Sequence, residues 1–177
     1  LDMVAEDNYR LKANMGGMEP EKFWQIYHAG GHRQYMFNSM QLNQGVDQTG
    51  NLRFSNIAQL TGVSNTDWSW APLLADFDND GHKDLFITNG IRRDLKNTDA
   101  INQTQDLVQK QADAFVKNNP NAGEVNIWDV IDLDAIIKLM PSERLMNYAF
   151  KNKGQYQFEK TMSSWGLEQK TFSTGAA

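Results

Sequence analysis

The stretch Ala75-Asp76-Phe77-Asp78-Asn79-Asp80-Gly81-His82-Lys83-Asp84-Leu85-Phe86-Ile87 decides how this chain is read. Aspartates at the first, third, fifth and ninth places of a tight loop converge on one point. Gly81, at the sixth, permits the sharp turn that directs the carbonyl of His82 inward. Oxygen donors in this number suit calcium. Carboxylates packed this closely repel one another, and a bound cation supplies the charge that lets such a loop close.

An EF-hand loop opens the same way, but its twelfth position is a bidentate Glu that leads into a helix. Here the twelfth position is Ile87, within Leu85-Phe86-Ile87-Thr88, which reads as a buried strand. The missing Glu and the strand exit point to a static structural site rather than a sensor that opens.

Outward from the loop, Trp68 to Leu74 and Leu85 to Thr88 form a strand pair around it. Upstream, Met36, Asn38, Met40 and Leu42 alternate with Tyr35, Phe37, Ser39 and Gln41, which predicts a strand from Gln34. A turn over Gly45 to Gly50 then returns the chain along Asn51 to Ile57. Before these strands, the opening stretch is broken by Gly16 and Gly17, and Pro20 starts a short helix over Glu21 to Ala29 that Gly30-Gly31 ends. Beyond Gly90 the period becomes helical. Asp99 to Lys117 places Ile101, Val108, Ala112, Phe115 and Val116 on one face with Asp99 as cap. Asp132 to Met140 turns Leu133, Ile136, Ile137 and Met140 inward and stops at Pro141. Strand language then returns at Asn147 to Asn152 and Tyr156 to Phe158.

That return is a repeat. Asn38-Ser-Met-Gln-Leu-Asn43-Gln-Gly45 lines up with Asn147-Tyr-Ala-Phe-Lys-Asn152-Lys-Gly154, and Phe54, Gly62, Val63, Trp68 and Ser69 line up with Phe158, Gly166, Leu167, Phe172 and Ser173. Two copies of a strand unit separated by helices suggest a repeat architecture such as a propeller.

Taken with its flanks, Asn65-Thr66-Asp67-Trp68-Ser69-Trp70-Ala71-Pro72 before and Leu85-Phe86-Ile87-Thr88-Asn89-Gly90 after, the acidic loop resembles an FG-GAP or VCBS repeat. The likeness runs from about Gln34 to the end of the chain. It is nearest to bacterial surface proteins similar to cartilage acidic protein, often associated with an ASPIC/UnbV module. This resemblance implies a mainly β fold, a segment of an integrin-alpha-like beta-propeller with an inserted helical region. It also implies a Ca2+ ion held by the side chains of Asp76, Asp78, Asp80 and Asp84 and the backbone carbonyl of His82. The expected organisation is an N-terminal polar and helical segment over 1–33, a first repeat with the calcium loop over 34–90, a helical insert over 91–144, and the start of a second, truncated repeat over 145–177. We expect these residues to be a stretch of a longer protein.

Composition narrows the function. The chain has 177 residues, 40 % of them apolar and 11 % aromatic, enough to bury a core. A net charge of -5 repels phosphate backbones and argues against nucleic acid as a partner. No cysteine is present, so disulfides, thiolate metal sites and a Cys nucleophile are excluded. No apolar run approaches the roughly eighteen residues that span a bilayer. His28 and His32 have the spacing of a helical zinc pair, but two glycines stand between them. Asp129, Asp132 and Asp134 could act as an acid and base pair, yet their place at a helix start fits capping better. Trp24, Trp68, Trp70, Trp128 and Trp165 suit sugar stacking, although core positions account for most of them more simply.

The expected function is a non-enzymatic, calcium-stabilised binding or scaffold module that recognises a glycan or protein. Its expected place is extracellular or at the cell surface of a bacterium, where millimolar calcium keeps such a site filled. The alternatives are a calcium-dependent polysaccharide-active enzyme and a subunit of an outer-membrane assembly.

Overall fold

The computed structural model describes residues 1–14 and 20–177; the glycine break at Gly16 and Gly17 lies outside them. In chain order the elements are β1 (Met3–Val4), α1 (Asn8–Asn14), α2 (Pro20–His28), β2 (Gln41–Val46), β3 (Leu52–Asn56), β4 (Asp67–Ala75) and β5 (Asp84–Asn89). They continue with α3 (Thr98–Asn118), a short 3-10 turn (Ile127–Asp129), α4 (Leu133–Leu139), β6 (Leu145–Met146), β7 (Tyr148–Asn152), β8 (Phe158–Lys160) and β9 (Lys170–Thr171).

The body of the fold is a curled antiparallel sheet in the order β1-β4-β5-β7-β8. Its four longer neighbours, β4-β5-β7-β8, have the strand number of one propeller blade. This four-stranded unit draws on both sequence copies, because β4 and β5 precede the helices and β7 and β8 follow them. The strand pair β2–β3 forms a separate antiparallel hairpin, and β6 pairs with β9.

The repeat read in the sequence is visible as a set of matched hydrogen bonds. Asn43 Oδ1 accepts from the Gly45 amide at 2.8 Å, and Asn152 Oδ1 accepts from the Gly154 amide at 2.9 Å. Both glycines sit at positive φ, 81° and 76°, where a side chain would be strained. After each hairpin the chain makes the same turn: Thr61, Gly62 and Val63 donate to Ile57, Gln59 and Ala58, while Trp165, Gly166 and Leu167 donate to Thr161, Ser163 and Met162. Asn38 Oδ1 accepts from the Asp2 amide, and its counterpart Asn147 Oδ1 accepts from the Asn89 amide, both at 2.8 Å.

The core lies between the two copies. Ala58 and Val63 from the first, Leu85 and Ile87 from β5, and Tyr148 and Phe150 from β7 form one buried cluster, with Met40, Phe158 and Met162 packed against it. Tyr148 and Phe150 stack at 5.9 Å with their planes 10° apart. Along β5, Leu85 and Ile87 point into this cluster because strand side chains alternate between faces.

Several sequence expectations need correction. The predicted strand from Gln34 begins only at Gln41. Asn38 explains why: its amide donates to Ser64 O, and its side chain donates to Val63 O and Thr66 Oγ1, so the backbone there is held by a loop instead of a ladder. The strand expected over Tyr156 to Phe158 is instead β8, Phe158–Lys160, since Gln155 and Tyr156 occupy the positive-φ turn. The cap of α3 is Asn97, which accepts from the Ala100 amide, and not Asp99. The apolar stripe assigned to α3 is not buried: Ile101 is 41 % and Val116 66 % exposed, and among its described residues only Ala100 is buried. Of the face assigned to α4, Ile136 is buried and Leu133 is exposed. The helix at Pro20–His28 ends as expected, with Gly31 donating to Ile26 O and Gly30 to Tyr27 O in a Schellman closure. Helix α1 has no counterpart in the sequence reading.

Candidate metal centre

The acidic loop joins β4 to β5, and the pairing of Ala75 with Asp84 closes it at its base. Its path needs left-handed backbone at Asn79 (φ 58°) and at Gly81 (φ 87°), conformations that Asn and Gly adopt most readily. The carboxylates then tie the loop to its own amides. Asp76 accepts from Asp80 N at 3.1 Å and from Gly81 N at 2.9 Å; Asp80 accepts from His82 N at 2.9 Å.

Asp84 is the anchor. It is fully buried, and its two oxygens accept from the Phe77 amide at 3.0 Å and the Asn152 amide at 2.8 Å. One of those donors lies in the loop and the other at the end of β7, so a single carboxylate joins the loop to the sheet. A buried charge is tolerated only where hydrogen bonds satisfy it.

The carboxylates of Asp76, Asp78 and Asp84 each place an oxygen within 4.8 Å of the other two. Among the described residues this is the one group of three or more acidic or imidazole side chains brought so close. Three hard oxygen donors at this separation fit a calcium-type cation. Of the five residues expected to hold the ion, these three converge. The Asp80 carboxylate is turned to the His82 amide and to Lys151, whose Nζ lies 3.1 Å from Asp80 Oδ2. The His82 side chain lies beside Gly154, and its ring lines a groove of about 640 Å³ with Asn152, Gln155 and Tyr156.

Lys151 is the residue the sequence reading missed. Its ammonium pairs with Asp78 Oδ2 as well as with Asp80. The hydrogen bonds to these two carboxylates raise the Lys151 pKa, and the His82 amide followed by Lys151 lowers that of Asp80. The repeat alignment held a signal: Lys151 occupies the place of Leu42 in the first copy, an apolar to basic change on the strand facing four aspartates.

The rival sites resolve differently. His28 ends α2 with its ring stacked on Trp24 at 5.9 Å, while His32 stands past the helix in irregular chain. Asp132 caps α4 by accepting from the Ala135 amide. The tryptophans are not core: Trp128 is 68 %, Trp24 50 % and Trp70 46 % exposed, and Trp68 and Trp165 are only half-buried. Trp165 packs edge-on against Phe77 at 6.0 Å, and both line an apolar recess of about 420 Å³ that also touches Asp78.

No helix among the described residues is long and apolar enough to cross a membrane. No curated protein and no solved structure matches the chain. Residues 31–87, which carry the β2–β3 hairpin, β4, the whole acidic loop and β5 as far as Ile87, match the family described as FG-GAP-like repeat.

Proposed function

We propose that this chain is part of a calcium-stabilised propeller of the integrin-alpha type, acting as an extracellular or surface-exposed binding or scaffold module. The observation that carries this reading is the convergence of Asp76, Asp78 and Asp84 at a loop inside the FG-GAP-like repeat. When bound, the ion would neutralise the carboxylates and hold the β4–β5 turn against β7. Asp84 would serve it from a fixed position, since two backbone amides set its orientation. The likeness to cartilage-acidic-protein-like surface proteins favours a protein or glycan as partner. Exposed Trp24 and Trp128 support a role in binding, because aromatic rings that carry an N–H serve at wet interfaces.

Calcium should raise the melting temperature, since a ligand of the folded form alone stabilises by mass action. Chelator should reverse the gain, and magnesium should replace calcium poorly because it holds its waters. Asp76→Ala should remove the calcium response. Titration calorimetry and melting curves check this, and a melting temperature indifferent to calcium in the intact protein would dismiss the metal.

A further inference from the structure

Strand β7 meets the acidic loop at its anchor and again at its tip. Asn152 donates its amide to Asp84 and its side-chain Nδ2 to Lys83 O at 3.0 Å. Lys151, the preceding residue, places its ammonium between Asp78 and Asp80. Lys151 therefore reaches the tip of the loop by its side chain, while Asn152 holds the loop at its base through both its backbone amide and its side chain. The three side chains of the ion pairs are only partly exposed, 23 % for Lys151, 25 % for Asp78 and 29 % for Asp80, and they meet at the surface of the loop.

Asp78 is shared. One of its oxygens belongs to the group with Asp76 and Asp84, and its Oδ2 is paired with Lys151. A divalent ion and an ammonium cannot both sit against the same carboxylate without repelling each other. Asp80, expected from its place in the loop to join the metal, is held off by the same lysine.

We propose that Lys151 is the built-in counter-cation of this loop and competes with the metal for Asp78 and Asp80. The inference rests on the calcium reading above. In the metal-free state the ammonium offsets part of the carboxylate repulsion and keeps the loop folded onto β7. Metal binding displaces it, and Asp78 and Asp80 turn from Lys151 to the ion. The exchange weakens calcium affinity, because each binding event must break the two ion pairs. It also makes metal occupancy readable at β7, as the release of a lysine on the surface of the blade.

The test compares wild type with Lys151→Met and Lys151→Arg, using calcium titration calorimetry and melting curves in chelator and in calcium. Lys151→Met should bind calcium about tenfold more tightly, melt lower than wild type in chelator, and gain more from calcium. Lys151→Arg keeps the charge and should stay near wild type. A second measurement needs no variant: acetylation of Lys151 in the wild type, followed by mass spectrometry, should rise when calcium is added. Equal or weaker calcium affinity of Lys151→Met, or labelling of Lys151 that calcium leaves unchanged, overturns the competition while the calcium site stands. Absence of calcium binding in wild type and variant alike removes the site and the competition together.

Discussion

Asn43 and Asn152 each accept a hydrogen bond from the amide two residues on, each is followed by a glycine at positive φ, and each hairpin leads into the same turn. Yet every residue of β3 is exposed and β2 is exposed at all but Leu42, whereas Tyr148, Ala149 and Phe150 of β7 are buried. The difference lies in what flanks the strands. β7 is hydrogen-bonded on one side to β5 and on the other to β8, while β2 has β3 alone. Local chemistry therefore sets the turns in both copies, and neighbouring strands set the burial.

The largest effect should come from core positions that the repeat makes equivalent. Phe150 is 1 % exposed and stacked on Tyr148, and its counterpart Gln41 is exposed. Phe150→Ala should cost about 3–5 kcal/mol through lost transfer energy and a cavity, and Gln41→Ala less than about 0.5 kcal/mol. Urea denaturation of the two variants measures both. Similar costs would mean that the hairpin β2–β3 is packed as firmly as β7–β8.

A smaller contrast is expected at the paired asparagines. The Asn43 side chain holds its own turn, while that of Asn152 holds its turn and also bonds Lys83 O beside the acidic loop. Each net hydrogen bond contributes about 0.5–1.5 kcal/mol, so Asn152→Ala should cost about twice as much as Asn43→Ala. Amide exchange should separate them further: Asn152→Ala should speed exchange at Gly81 and His82, and Asn43→Ala should leave both unchanged. Faster exchange at the loop in both variants would show that the acidic loop senses the whole repeat and not β7 alone.

The same comparison shows what was legible in the sequence. Features encoded over a few residues could be read directly: the Asn and Gly turn pairs, the Gly30-Gly31 helix end, the strand pair around the acidic loop, and the convergence of Asp76, Asp78 and Asp84. Features set by distant partners could not. The alternation from Gln34 looks like a strand until Asn38 is seen bonded to Val63 and Thr66. The tryptophans look like core by composition, but the core volume was filled instead by Ile87, Tyr148 and Phe150. Lys151 reaches Asp78 and Asp80 from seventy-three and seventy-one residues away, across the helices, and no local pattern announces such a pairing.

The smallest effect concerns Tyr148 and its counterpart Ser39. Tyr148 donates its hydroxyl to Glu6 Oε2 at 2.8 Å, and Lys160 pairs with the other Glu6 oxygen, tying the N-terminal stretch to β7 and β8. Ser39 only accepts a local bond from Gln41 Nε2. Burial pushes the Glu6 carboxyl up, but the hydrogen bonds from Lys160 and Tyr148 outweigh it and hold the group below its ordinary range. A carboxyl depressed in the folded state contributes stability above its unfolded pKa and loses it as pH falls through the folded one. The contribution of Glu6 is therefore present above about pH 4.3 and fades below it. Tyr148→Phe removes one of the depressing bonds, so Glu6 should titrate nearer its ordinary value and the acid limb of stability should flatten. Because Glu6 is largely solvated, the change in slope should amount to less than about 0.5 kcal/mol across the limb. Ser39→Ala should leave the limb as it is. Stability measured by urea midpoint from pH 2.5 to 6 separates the two, and an acid limb that steepens or stays fixed in Tyr148→Phe would show that the phenol does not govern Glu6.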